Sequence, residues 1–161
     1  MNTFKRRIYS SFGEFITDFK ILLSRRNDIH ILMEGEMLDH AFRERIMLAV
    51  TAVNKCRYCS FAHSREALSR GVSQKEIETL ASGMFEGSPA EQIPALLYAQ
   101  HWAEANGKPE EKARNQAVLT YGAEKVELLE LAMRMIRSGN LMGNTFDYLV
   151  YKVSFGRWAK D

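Results

Sequence analysis

Cys56, Cys59 and His63 follow one another at spacings of three and four residues. On a helix turning about 100° per residue they fall within an arc of roughly 60°, so the spacing puts all three on one face. Two thiols so placed can close a disulfide with little backbone movement. The imidazole lies one turn beyond the Cys59 sulfur, which makes Cys59 the thiol best placed for His63. A free thiol, with a pKa of about 8.5, is only a few per cent thiolate at neutral pH. The positive end of a helix and a neighbouring imidazole both favour the charged form. The chemistry open to such a site is attack by a thiolate on a peroxide oxygen or a partner disulfide. Closure of the Cys56–Cys59 disulfide and re-reduction from outside would complete the cycle.

Taken singly, the same residues have plainer readings. Zinc would need four ligands, and the chain has no second cysteine pair and no spaced histidine pair, so no metal is assigned. Free cysteine is often an inert buried residue, and His63 could be a core histidine. Glu44, with Arg43 and Arg45 beside it, reads alone as a solvated or salt-bridged surface residue. His30, His40 and His101 have no partners at telling spacing and receive no role.

The elements that must carry these residues are helical. Only three prolines occur, and β-branched residues never alternate cleanly with polar ones. Phe12 to Leu23 places Phe12, Phe15, Ile16, Phe19, Leu22 and Leu23 at the spacing of an amphipathic helix. A less regular piece runs from Ile29 to Met37 around Gly35. Asp39 to Val53 is apolar on almost every side, as a helix in the middle of a bundle is, with Glu44 in its first turns. Asn54 and Lys55 break the pattern just before the cysteines. A helix from Cys56 to Arg70 is expected to stop at Gly71, which suits the left-handed position after a terminus. Ser73 to Glu76 reads as a capping box opening a helix to Ser82. Helices over Glu91–Ala105, Pro109–Leu119 and Ala123–Arg137 follow, and Val126, Leu129, Met133 and Ile136 stripe the last of them. Ser138, Gly139, Asn140, Gly143 and Asn144 predict a bend before a final piece from Phe146 to Val153.

At 161 residues, with 46% apolar composition, the chain can bury a sizeable core, and residues 1–161 read as a single domain. The net charge of +2 gives no footprint for nucleic acid. No run approaches the roughly 18 apolar residues of a membrane span, and no secretory core follows Arg6 and Arg7, so a cytoplasmic location is expected. Two adjacent cysteines in a reducing compartment suit redox chemistry better than a structural staple. The methionines, among them Met133, Met135 and Met142, read as core filling, and Trp102 and Trp158 as packing or interface residues.

Glu44, eleven intervening residues, and then Cys56, Arg57, Tyr58, Cys59, Ser60, Phe61, Ala62 and His63 together resemble the active-site signature of one family. It is the alkylhydroperoxidase D (AhpD)-like branch of the carboxymuconolactone decarboxylase family, in which a glutamate precedes CxxC-xxx-H by that interval. The likeness extends through Leu48 to Val53 before the motif and through Ala67, Leu68, Gly71, Val72, Ser73 and Glu76 after it. It therefore covers about Ala41 to Ser82. From Pro89 to Asp147 the chain is similar to longer members only in helical pattern.

The resemblance implies an all-α fold of helical hairpins, a homo-oligomer (trimer or hexamer), and thiol-dependent peroxidase or disulfide reductase activity with no cofactor beyond the Cys56–Cys59 pair. The substrate would be a hydroperoxide or a protein disulfide, and the reductant an external dithiol. By the same resemblance Glu44 orients or deprotonates through a water, His63 is the base, Cys59 is the favoured reactive thiol and Cys56 its partner. The best-known members have a histidine just before the second cysteine. Tyr58 stands there in this chain, so a relay through that position would need a phenol. The competing readings are a lactone decarboxylase, which is not expected to depend on a CxxC pair, and a redox-sensing module without turnover.

Overall fold

The computed structural model describes residues 4–159. Among them are eight helices and no strand: α1 (Phe12–Ser24), α2 (Arg26–Glu34), α3 (His40–Asn54), α4 (Arg57–Ser69), α5 (Gln74–Ala81), α6 (Ile93–Glu104), α7 (Glu111–Tyr121) and α8 (Ala123–Val153). The expected all-α class is the one observed. None of these helices is long and apolar enough to cross a membrane.

The sequence from Asp39 onward explains why α3 forms the axis. The Asp39 carboxylate accepts the Phe42 N–H at 2.9 Å and so satisfies one of the amides a helix start leaves unpaired. Every residue from Phe42 to Val50 is then buried, because α4, α5, α6 and α8 all pack around this one helix. Burial of Ile46, Leu48, Val50, Leu80, Leu96, Trp102, Leu129 and Met133 in one cluster supplies the main hydrophobic stabilisation. Three charged residues, Arg43, Glu44 and Arg45, are carried inside with them. Each is paired, as burial of a charge requires. Arg45 donates to Glu76 at 2.6 Å, and Arg43 to Glu44 at 3.2 Å.

The structure differs from the sequence reading in four places. α2 stops at Glu34 instead of running to Met37, because Gly35 takes the left-handed conformation (φ 82°) that ends a helix. The Ser73 hydroxyl caps α5 by accepting the Glu76 N–H at 3.2 Å, but the Glu76 carboxylate does not return the bond to Ser73. It is held by Arg45 and the Ser88 hydroxyl, so only half of the capping box forms. The predicted bend at residues 138–144 is absent, and α8 runs unbroken for 31 residues. Asn140, Gly143 and Asn144 lie where the helix faces the end of α3 and Cys56. There Gly143 gives close approach, and the asparagines bond to partner groups instead of opening the helix. Finally, the apolar stripe of α1 is only partly covered, with Leu22 packed against the core. The one fully buried residue on α1 is Asp18, while Phe12, Phe19 and Leu23 are exposed. Trp158 and Met142 are likewise exposed, whereas Trp102 and Met133 are core residues.

Candidate active site

Thr51, Asn54 and Lys55 end α3, and Lys55 turns the chain through the left-handed region (φ 61°). That turn delivers Cys56 as the residue that caps α4, with extended backbone (φ −82°, ψ 107°), one position before the helix begins. The Cys56 sulfur therefore occupies the place a serine or aspartate oxygen would take, and it accepts the Cys59 N–H at 3.4 Å. The Cys59 thiol also donates to it, and this is the largest of the effects that hold the Cys56 thiol well below its ordinary value of 9.0, at about 6. Burial opposes the shift, and the Cys59 and Tyr58 backbone amides reinforce it. The Cys59 thiol moves the other way. It is raised because its proton is held by Cys56 and because it is buried, while the Asn140 side chain pulls in the opposite sense. The capping position thus favours Cys56 as the thiolate and Cys59 as the proton-bearing partner, whereas spacing alone made Cys59 the thiol best placed for His63. Both are free thiols in this structure.

Glu44 is not on the surface. It is 2% exposed, and both carboxylate oxygens are engaged, one by Arg43 and the other by the His63 Nδ1 at 2.6 Å. A carboxylate at Nδ1 fixes the imidazole's orientation and, in the neutral ring, leaves Nε2 as the acceptor. α3 and α4 thus bring Glu44 and His63 together across their contact. His63 Nδ1 is committed to Glu44 and not to a sulfur.

Tyr58 does not extend this chain of groups. Its hydroxyl donates to Asp147 at 2.9 Å and accepts from Arg57 at 3.0 Å, and Asp147 also pairs with Arg6 and Arg57. A relay through the phenol leads to this buried carboxylate on α8.

Several residues that frame the site were passed over in the sequence. Asn140, fully buried, donates to Thr51 Oγ1 at 3.2 Å and accepts from Asn54 at 3.1 Å beside Cys59. The Asn144 amide donates to the Asn54 and Arg7 carbonyls, each at 2.8 Å. A Cβ added at Gly143 would lie 3.4 Å from the Cys56 sulfur. Their signal was available. The stripe Val126, Leu129, Met133, Ile136 continues without a phase break through Asn140, Asn144 and Asp147, which marks them as inward-facing polar residues.

A cavity of about 250 Å³ is lined by Cys56 with Leu48, Ala52, Lys55, Arg57 and Ser60 among others. Among the described residues no group of three or more His, Cys, Asp or Glu side chains is arranged to hold a metal ion. In comparisons with known proteins, the model of the carboxymuconolactone decarboxylase family matches residues 30–105. No curated protein and no solved structure matches the chain.

Proposed function

From the match of residues 30–105 to the carboxymuconolactone decarboxylase family model, we propose that this chain is a thiol-dependent peroxidase that cycles through a Cys56–Cys59 disulfide. The observation that carries the reading is the capping position of Cys56. There a thiolate is stabilised by the Cys59 thiol and by backbone amides, next to a cavity that a small molecule can enter. The Cys56 thiolate attacks the terminal oxygen of a hydroperoxide, and the O–O bond breaks. The alkoxide leaves and takes a proton, and the sulfur becomes a sulfenic acid. Cys59 then displaces the hydroxyl as water and forms the disulfide, which an external dithiol reduces by exchange. The Cys59 proton must leave for that second step. His63, oriented by Glu44 one helical turn from Cys59, is the base we assign to it.

The test is hydroperoxide consumption with a dithiol reductant, together with mass spectrometry of the thiols. Cys56→Ser abolishes turnover and oxidation alike. Cys59→Ser still forms one sulfenic acid per chain but does not turn over. Glu44→Gln and His63→Ala slow turnover by roughly one to three orders of magnitude, the scale of lost general-base assistance. Equal rates in wild type and all four variants would remove the site.

A further inference from the structure

We propose that the cavity beside Cys56 selects anionic substrates, and that the oxidant it takes is a small organic hydroperoxide bearing a carboxylate. This rests on the peroxidase reading of the preceding subsection. Cys56 is 1% exposed, so a reactant meets its sulfur where that residue lines the cavity. At about 250 Å³ the space has room for about eight waters at roughly 30 Å³ each, which suits a small molecule and not a loop of a folded partner. Leu48, Ala52 and Ala81 supply apolar wall, and no Asp or Glu lines it. Two cations do, Lys55 and Arg57, the residues on either side of Cys56 in the chain.

The two cations are not equivalent. Arg57 is partly committed, with its guanidinium on Asp147 and Tyr58. Lys55 forms no ion pair among the described residues, and it occupies a left-handed backbone position (φ 61°) that glycine adopts at lower cost. A strained residue that lines the same cavity as Cys56 and has no ion pair among the described residues points to a binding role for its ammonium. An alkyl body against the apolar wall and a carboxylate at Lys55 would hold a peroxide group at the Cys56 sulfur. A neutral hydroperoxide has only the first of these contacts.

Paired alkylating reagents test the anion preference without relying on peroxidase turnover. Iodoacetate and iodoacetamide both require the Cys56 thiolate, so the ratio of their rate constants cancels its population. Measured on the full chain by peptide mapping and compared with N-acetylcysteine, the iodoacetate:iodoacetamide ratio is expected to be about three to ten times higher at low ionic strength. It should fall toward the free-thiol value in 0.5 M salt, where charges are screened over about 4 Å. Lys55→Gly should keep the fold, with an unchanged or higher melting temperature, and bring the ratio close to that of the free thiol. Lys55→Glu should push it below. A wild-type ratio no higher than that of N-acetylcysteine, or one unmoved by Lys55→Gly, overturns the proposal. The second arm compares 4-hydroperoxy-4-methylpentanoate with its methyl ester as oxidants of Cys56. Faster oxidation by the acid supports the assignment. Equal rates leave the peroxidase standing and sink the anion selectivity, whereas no oxidation by either sinks the peroxidase and with it the substrate class.

Discussion

Cys56 and Cys59 share a motif but not an environment, and a single residue of helix register decides between them. The sequence reading placed both sulfurs and His63 on one helical face, and the pair is indeed adjacent. The helix begins at Arg57, however, so Cys56 is its cap and not its first member. Spacing does not show which residue of a CxxC stretch has extended backbone, and so the capping position that favours a Cys56 thiolate was not legible. Two outcomes follow at this scale. Thiolate absorbance near 240 nm in the reduced protein should titrate with a midpoint near pH 6, and in Cys59→Ala that midpoint should rise because the largest lowering effect is gone. A midpoint unmoved by Cys59→Ala would show that the backbone amides alone hold the charge. A thiol depressed from 9.0 to about 6 contributes stability that is fully present above pH 9 and is lost as pH falls through 6. Urea midpoints of the reduced wild type should therefore decline between pH 9 and pH 5 by more than those of Cys56→Ser, which has no such group.

At the scale of elements, α8 is where local signals and tertiary structure disagree. Ser138, Gly139, Asn140, Gly143 and Asn144 are poor helix residues, and their clustering reads as a bend. The packed chain overrides that preference because the asparagine amides find buried partners on α3. The two glycines should accordingly respond differently to the same change. Gly139 has nothing within 4 Å of an added Cβ, so Gly139→Ala should stabilise the fold by up to about 1 kcal/mol, the helix preference for alanine, and leave Cys56 reactivity alone. At Gly143 the added Cβ would sit 3.4 Å from the sulfur. Gly143→Ala should gain less stability and slow Cys56 alkylation severalfold. Chemical denaturation and iodoacetamide kinetics on both variants measure this, and identical behaviour would mean that α8 does not crowd the sulfur. Glu44 illustrates a related limit. Its interval from the cysteines was legible, but its burial was not, since two flanking arginines read as solvent-facing partners until Arg43 is seen to turn inward with it.

Across the whole molecule, α1 is attached in an unusual way. Its buried anchor is ionic: Asp18 accepts from Arg134 at 2.9 Å and Arg137 at 2.6 Å, and Glu14 joins Arg137 at 2.5 Å. Of its apolar stripe, Leu22 packs against the core while Phe12, Phe19 and Leu23 are exposed. Phe12 and Phe15 line an open groove of about 420 Å³ with Met142, Phe146 and Leu149 of α8. Amphipathicity was legible in the sequence, but what the apolar face packs against was not, because periodicity marks a face and not its partner. If the homo-oligomer that the motif resemblance implies forms through this groove, a second copy of the chain covers it. Sedimentation velocity at micromolar concentration should show a species larger than one chain, and Phe12→Glu with Phe146→Glu should return it to a monomer with its helical circular dichroism intact. Asp18→Asn makes the complementary prediction. It leaves Arg137 buried with a partner lost, which should cost about 3 kcal/mol. Because Phe12 and Phe15 of α1 line the groove, the same change should also weaken self-association. A wild-type chain that sediments as a monomer, or an association indifferent to both sets of changes, would show that the uncovered face has another purpose.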